Sequence, residues 1–353
     1  MVAVPAEWRR RLLTAVVALL LLTLAVLPAR AETTGARHAD VVLLLDRSGS
    51  MAGNDPGGLT ETGARVFLEL LDPGDRVAII AFDTGARTLL PLTQVGDGVA
   101  ARKALDGMGR PVGEWTDIKA ALAAALQQVG AASAERQPAV LLFTDGKPET
   151  QPGGVPDGYR AELMATATQL AGRSAPVFSI GLGQADFETL GQLAASTRAE
   201  SFAARSSDQV VRLFSDVLSR IKERQVALSF SEELAPGAVG EAHTFVVPPY
   251  TRMLTLSGVG GTSGVTLSGQ QPGGAPLDAA PGLKASRGAN YTVYTIPNPA
   301  PGTWTVQLAG AGRVEAHAQL DSALRLELLE PQPYSRVPQQ GTAPVEVAVA
   351  GDP

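Results

Sequence analysis

Short apolar runs alternate with segments of helical periodicity along the part of the chain that ends near Arg224. The apolar runs are typical of strands buried on both faces and lie at residues 39–45, 76–82, 139–143 and 176–181. Between them, the spacing of apolar residues predicts helices over residues 59–71, 99–105, 116–129, 159–171, 187–196 and 209–221. Strands that alternate with helices predict an α/β fold with a doubly wound, mostly parallel sheet.

A different pattern begins after Arg224, where helical periodicity stops and Gly, Pro, Ser and Thr become frequent. Short alternating runs predict strands at residues 244–247, 254–256, 265–267, 291–296, 303–308 and 314–320. Strands at this spacing predict an all-β sandwich of the immunoglobulin-like kind over residues 225–321. Two further alternating runs, at 324–328 and 345–349, predict the start of another β domain over residues 322–353, and we expect that domain to be truncated.

The first residues have the pattern of an export signal. Three arginines at residues 9–11 precede an apolar stretch at 12–27, and Ala29-Arg30-Ala31 forms a small-residue cleavage site. We therefore expect a signal peptide at residues 1–31 and a secreted, cell-surface or periplasmic protein. Anchoring to a membrane, through an uncleaved N-terminus or a missing C-terminal segment, remains open.

Composition narrows the chemistry that the chain can perform. The chain has no cysteine, which excludes disulfides and thiolate metal sites and fits an exported bacterial protein. Its formal net charge of -6 gives no basic surface for nucleic acid. The three histidines, His38, His243 and His317, lie in no zinc-ligand spacing, so we expect them to be ordinary strand or loop residues.

Candidate chemistry begins where the first strand ends, at Asp46-Arg47-Ser48-Gly49-Ser50. A carboxylate and two hydroxyls at alternate positions are hard oxygen donors, which suit Mg²⁺, Mn²⁺ or Ca²⁺. Taken alone, this pentapeptide also fits a serine-rich turn that caps a helix. Thr116 follows about seventy residues later. Thr144-Asp145-Gly146 ends another buried strand, and its carboxylate is predicted to reach the same edge of the sheet.

These motifs together resemble the metal-ion-dependent adhesion site (MIDAS) of von Willebrand factor type A domains. The resemblance covers roughly residues 40–224 and implies a type A domain over residues 38–224. It implies an antiparallel edge strand near residues 88–92. The segment Pro301-Gly302-Thr303-Trp304 is similar to a strand of the sandwich domains that follow type A domains in exported bacterial proteins and in calcium-activated chloride channel regulators. We expect Trp304 to anchor a core rather than to bind a ligand.

The resemblance also implies a role for each motif residue. Ser48, Ser50 and Thr116 would contact Mg²⁺ (or Mn²⁺ or Ca²⁺) directly, while Asp46 and Asp145 would reach it through waters. A cation held by neutral hydroxyls keeps most of its charge, so a Glu or Asp of a partner protein would complete its coordination. In the family, a shift of the last helix, here residues 209–221, accompanies the change between low and high affinity.

Three residues next to the motif positions are also candidates for a role at the site. We expect Arg47 to be an exposed, salt-bridging side chain, with a partner contact as the alternative. We expect Asp117 to cap a helix rather than to bind the metal. Trp115 either contacts a partner or packs on its own loop.

Catalytic alternatives have less support in the sequence. Metal-assisted hydrolysis would need a positioned base, but no histidine lies near the motif residues in sequence. No G-x-S-x-G or nucleotide-binding glycine motif occurs either. Intracellular chelatase subunits also contain type A domains, but the export signal argues against that assignment. The sequence thus predicts a metal-dependent adhesion or protein-binding module that is not an enzyme, with a metal-dependent hydrolase or a channel regulator as the alternatives.

Overall fold

Strand β1 (His38–Asp46) lies at the centre of the first sheet, and every residue of it after His38 is buried. The computed structural model describes residues 38–133, 135–205, 209–260, 264–322, 325–330 and 346–350. Strand β1 pairs in parallel with β2 (Arg76–Phe82) on one side and with β4 (Arg136–Thr144) on the other. Such a strand must be apolar on both faces, which its sequence is.

The first sheet has six strands in the order β3-β2-β1-β4-β5-β6. The other strands are β3 (Ala86–Gln94), β5 (Val177–Leu182) and β6 (Ser201–Ala204). Strand β3 is antiparallel to β2, as the family resemblance implied for this edge. The helices are α1 (Met51–Asn54), α2 (Leu59–Glu69), α3 (Val99–Asp106), α4 (Ile118–Gln128), α5 (Tyr159–Gly172), α6 (Phe187–Ser196) and α7 (Val210–Ile221). Two buried clusters cover the sheet, one under α2, α3 and α7 and the other under α4, α5 and α6. The predicted α/β class is therefore confirmed.

Local differences from the predicted elements occur near the edge of the sheet where β1 ends. The segment between the first predicted strand and the helix predicted from residue 59 contains the one-turn helix α1, in which Met51 is buried and its carbonyl accepts a hydrogen bond from the Asp55 N–H. The helix predicted from residue 116 begins at Ile118, because the Asp117 side chain caps it by accepting a hydrogen bond from the Ala120 N–H. Thr116 is consequently left outside the helix.

The second sheet is antiparallel and all-β, and its strands are β7 (Gln225–Val239), β8 (His243–Val247), β9 (Thr251–Gly260), β10 (Thr266–Gln270), β11 (Lys284–Arg287), β12 (Tyr291–Pro297) and β13 (Gly302–Ser322). Two strands predicted at 303–308 and 314–320 were wrong as separate elements, because they form the single 21-residue strand β13. A register shift between Gly310 and Gly312 lets the strand continue through an irregularity. Strand β13 pairs with β7, β8, β9 and β10, so it connects β7, β8 and β10 to the rest of the second sheet.

The second sheet encloses its own apolar core around Trp304. The indole is fully buried, and its Nε1–H donates a hydrogen bond to the Ala300 carbonyl at 2.9 Å. The predicted role of Trp304 as a core residue therefore agrees with its position.

Strand β13 also packs against helix α7, so the second sheet is in contact with a helix that covers the first sheet. Its alternate residues Glu315, His317 and Gln319 are buried although they are polar. The Gln319 Nε2 donates a hydrogen bond to the Ser215 carbonyl of α7 at 3.2 Å. Apolar residues of the second sheet, Val259, Tyr291 and Val293, also belong to the buried cluster under α2 and α7.

A buried ionic cluster holds the segment that follows α7. The fully buried Asp75 carboxylate accepts hydrogen bonds from Lys222 Nζ at 2.8 and 2.9 Å, and Asp72 lies 2.7 Å from the same nitrogen. Arg224 donates to Asp72 at 3.0 Å and to the Leu70 carbonyl at 2.8 Å. These cations hold the pKa of the Asp72 carboxyl below its ordinary value, against the effect of burial.

Two further strands, β14 (Arg325–Glu330) and β15 (Glu346–Ala350), form an antiparallel pair in the third predicted region. The predicted signal peptide at 1–31 lies outside the described residues, as do residues 331–345 and 351–353. Within the described part of the chain, no helix is long and apolar enough to cross a membrane.

Candidate metal centre

The candidate site lies at the edge of the first sheet where the parallel strands β1 and β4 end side by side. Asp46 is the last residue of β1 and is fully buried. Asp145 follows the end of β4 directly, and its side chain is also buried. The pairing of Leu45 with Phe143 fixes the two strands in this register. Both carboxylates predicted from the sequence therefore reach the same edge of the sheet.

Hydrogen bonds join four of the five predicted residues into a chain. The Ser48 N–H donates to Asp46 Oδ1 at 2.7 Å. The Ser48 and Ser50 hydroxyl oxygens are 3.1 Å apart, and the Ser50 hydroxyl donates to Asp145 Oδ1 at 2.8 Å. A carboxylate, two hydroxyls and a second carboxylate thus lie in contact, as the motif spacing predicted.

Thr116, the fifth predicted residue, joins the group from the loop before α4. Its backbone N–H donates to the Glu149 carbonyl at 2.9 Å, which fixes the loop beside the chain that follows β4. A Cβ atom placed on Gly146 would lie 3.0 Å from the Thr116 hydroxyl oxygen, so the missing side chain lets Thr116 lie against the residue that follows Asp145. The fifth predicted residue therefore lies beside the segment that carries Asp145.

Two backbone hydrogen bonds hold the Asp46–Ser50 turn against the loop that precedes Thr116. The Gly49 N–H donates to the Gly113 carbonyl at 2.7 Å, and the Gly113 N–H donates to the Arg47 carbonyl at 3.1 Å. A Cβ on Gly49 would lie 3.3 Å from that Gly113 oxygen, which explains a glycine inside the motif. Gly113 was not predicted, because no pattern in the sequence indicates which loop residue pairs with the motif turn.

Two polar side chains that the sequence did not single out complete the hydrogen bonding of the carboxylates. The Thr144 hydroxyl donates to Asp46 Oδ2 and accepts a hydrogen bond from the Gly146 N–H at 3.1 Å. The Asn54 amide donates to Asp145 Oδ2 at 2.8 Å. Helix α1, which was not predicted from the sequence, positions Asn54. Thr144 was visible in the sequence only as part of the Thr-Asp-Gly motif. Each carboxylate is thus held by neutral donors.

The donor set fits a hard divalent cation. It consists of two carboxylates and three hydroxyls, whereas no cluster of three or more His, Cys, Asp or Glu suited to a metal occurs within the described residues. Burial raises the pKa of the Asp46 carboxyl from 3.8 to about 6; hydrogen bonds from Ser48 and Thr144 oppose this shift, and the charge of Asp145 adds to it. A cation beside Asp46 would compensate for this unfavourable burial of charge.

The raised pKa of Asp46 predicts a pH effect on the protein in EDTA. A carboxyl whose pKa is higher in the folded state adds stability below its ordinary pKa and loses it as the pH rises through 6. The difference between 3.8 and about 6 corresponds to roughly 3 kcal/mol at neutral pH. We therefore expect Asp46→Asn to raise the free energy of unfolding in EDTA at pH 7.5 but not at pH 4, measured by urea denaturation.

A second aspartate provides the control for this measurement. Hydrogen bonds from Thr189 and the nearby cations Arg160 and Lys147 lower the pKa of Asp186 despite some burial. Asp186→Asn is therefore expected to lower stability at pH 7.5, the opposite sign. If Asp46→Asn and wild type had the same pH dependence of unfolding, the burial cost at Asp46 would be disproved.

The neighbours of the motif residues have defined roles. The expectation of an exposed, salt-bridging Arg47 was wrong, because its guanidinium is half-buried and donates to the Gly109 carbonyl. This desolvation lowers the pKa of Arg47. Asp117 caps α4 and accepts a hydrogen bond from the Tyr159 hydroxyl at 2.8 Å. Trp115 is half-buried on its loop.

A protein-family model described as "von Willebrand factor type A domain" matches residues 40–216. This match spans both strands that carry the carboxylates and ends within α7. No curated protein matches the chain.

Several solved structures are similar to this chain. One is a form of proximal thread matrix protein 1 from the mussel byssus with a zinc-occupied MIDAS motif. The match has 19% sequence identity and a TM-score of 0.45, and it covers 57% of this chain and 51% of the mussel protein. A von Willebrand factor type A protein from Catenulispora acidiphila is 17% identical, with coverages of 83% and 61% and a TM-score of 0.45. For the pilus adhesin SpaC from Lactobacillus rhamnosus GG, the identity is 12%, the coverages are 90% and 50%, and the TM-score is 0.47. This chain thus spans about half the length of the mussel and Lactobacillus proteins.

Proposed function

The chain belongs to the von Willebrand factor type A domain family, and on that premise we propose that it is a divalent-metal-dependent protein-binding module. Its bound cation would accept a Glu or Asp side chain of a partner protein. The observation that carries this proposal is the set of three hydroxyls beside two carboxylates whose oxygens are already engaged by neutral donors.

Ser48, Ser50 and Thr116 would hold the cation directly, and Asp46 and Asp145 would act through waters. Mg²⁺ suits this arrangement because it takes few protein carboxylates and keeps several waters, and Mn²⁺ or Ca²⁺ can replace it. When bound, the cation supplies an electrophilic position for the oxygen of a partner's carboxylate. Ser50 and Asn54 occupy both oxygens of Asp145, which restrains that carboxylate from neutralising the cation.

The proposed setting is outside the cytoplasm, because the pattern of residues 1–31 is that of an export signal. We assign residues 38–224 to the metal-binding domain, 225–321 to a β domain and 322–353 to a third region. We propose binding rather than catalysis, because the donor set suits a cation but no histidine lies near it in sequence to act as a base.

Titration calorimetry with MgCl₂ and MnCl₂ tests the metal site without any partner. We expect wild type to bind one divalent cation and Thr116→Ala to bind it at least about tenfold more weakly, because one ligand is removed. Thr168→Ala is the matched control, since the Thr168 hydroxyl donates to the Met164 carbonyl on the exposed side of α5. Absence of cation uptake by folded wild type, or equal effects of the two variants, would contradict the proposal.

A further inference from the structure

A small cavity opens beside the candidate metal centre, between the start of α5 and the start of α6. Its volume is about 180 Å³. Pockets for drug-sized ligands measure about 300–1,000 Å³, so this cavity has the size for one side chain rather than for a cofactor. Its inner wall is formed by Val155, Tyr159 and Leu163, together with Pro148.

Hydrogen bonds link residues of the cavity to residues that adjoin the metal centre. The Tyr159 hydroxyl, at the cavity, donates to Asp117 Oδ1 at 2.8 Å, and Asp117 follows Thr116 directly. The Asp186 N–H, also at the cavity, donates to the Gly146 carbonyl at 3.4 Å. Lys147, a third lining residue, is two residues from Asp145, so their Cα atoms are at most about 7 Å apart.

The rim of the cavity is charged, but its charges are balanced. Arg160 lies 3.5 Å from Asp186 and 3.7 Å from Glu188. Asp186 accepts hydrogen bonds from the Thr189 N–H at 3.1 Å and the Thr189 hydroxyl at 2.7 Å, so α6 already uses this carboxylate as its cap. Lys147 is exposed and lies close enough to Asp186 to lower its pKa. The rim therefore favours neither a positive nor a negative side chain, and we expect the apolar wall to determine which side chain binds.

We propose that this cavity takes a bulky aliphatic or aromatic side chain of the partner, two or three residues away from the acid that binds the metal. An extended peptide advances about 3.3 Å per residue, so two or three residues span at least the roughly 7 Å that can separate the Cα atoms of Asp145 and the lining residue Lys147. The inference rests on the proposed function, since the acid on the metal sets the position of the peptide. An apolar anchor next to a metal-bound carboxylate gives the module a sequence preference that a single acid cannot provide.

A displayed peptide library tests the preference directly. Peptides with one fixed Glu and randomised flanking residues are selected on the full chain in MgCl₂, and bound clones are eluted with EDTA. We expect Leu, Ile, Phe or Trp to be enriched two or three positions from the Glu. A peptide from that selection should bind about 10- to 100-fold more tightly than its alanine variant, as burial of one large apolar side chain implies.

Variants at Val155 link that preference to the cavity. Val155 is half-buried at the wall, so Val155→Trp is expected to fill the cavity and abolish the enrichment, whereas Val155→Ala should shift it towards larger residues. Neither variant should change the affinity for Mg²⁺ by calorimetry, which also verifies that the site has folded. Val99→Trp is the matched control, because Val99 is 56% exposed on α3, a helix that packs on the opposite face of the sheet.

The outcomes separate the inference from the function on which it rests. If EDTA elutes no peptide from wild type that binds Mg²⁺, the metal-bridged capture of a partner is wrong, and the pocket loses its role with it. If EDTA-eluted peptides need the Glu but have no apolar preference, or if Val155→Trp keeps the preference, the capture stands and the assignment of the cavity is wrong.

Discussion

Asp75→Ala is expected to lower the free energy of unfolding by about 3–5 kcal/mol, because it removes one partner of a buried ion pair. Asp75 is fully buried, and the side chain of Lys222 is only 6% exposed. The carboxylate accepts two hydrogen bonds from Lys222 Nζ and two more from the backbone N–H groups of Ala39 and Asp72. The substitution leaves a buried ammonium with Asp72 alone and two backbone donors without this acceptor.

Urea unfolding at pH 7 measures this effect against an exposed ion pair. Glu162 lies 2.6 Å from Lys119, but its side chain is 65% exposed, so Glu162→Ala should cost less than about 1 kcal/mol. Asp75→Asn should fall between the two alanine variants, because an amide oxygen can still accept a backbone hydrogen bond. Equal losses for Asp75→Ala and Glu162→Ala would show that the cluster does not stabilise the attachment of α7.

Trp304→Ala is the second substitution with a large expected effect, again about 3–5 kcal/mol, because it leaves a large cavity in the core of the second sheet. The effect should extend to the first sheet. Val259, Tyr291 and Val293 of the second sheet pack in the cluster under α2 and α7, so loss of the second sheet exposes that cluster to water. We therefore expect one calorimetric transition that moves as a whole to lower temperature.

Trp115→Ala is the matched control for this second prediction. It deletes the same side chain from a half-buried position on the loop near the metal centre, so its effect on stability should be clearly smaller. A Trp304→Ala protein with two separate transitions, the later one unchanged from wild type, would show that the two sheets unfold independently.

The sequence predicted the first sheet well because its strands are buried on both faces. Strand 76–82 and helix 187–196 were predicted over the same residues that the structure assigns, since apolar runs and helical spacing leave little ambiguity there. Strand β7 (Gln225–Val239) was missed because it is largely exposed or half-buried and lacks a continuous apolar face. Strand β13 was divided in two because its glycines at the irregularity interrupt the apolar pattern.

The candidate site could be predicted as far as its motif residues extend. Oxygen side chains at fixed spacing after a strand revealed Asp46, Ser48 and Ser50, and their geometry is consistent with that prediction. Asn54 and Gly113 escaped because their contacts depend on how two loops fold towards the site. Arg47 was misjudged for a related reason, since the loop carbonyl that it reaches lies far away in sequence.

The pairing of β7 with β13 determines where the chain leaves the second sheet. Gln225, the first residue of β7, is directly opposite Leu320 near the end of β13, and antiparallel partners lie only about 5 Å apart. The chain therefore enters and leaves the second sheet at almost the same point, so the sheet adds almost nothing to the end-to-end length of the chain. A pulling force on the two ends of the chain would act on this pair first. It would separate β7 from β13 one residue pair at a time, beginning beside the Gln319 contact with α7.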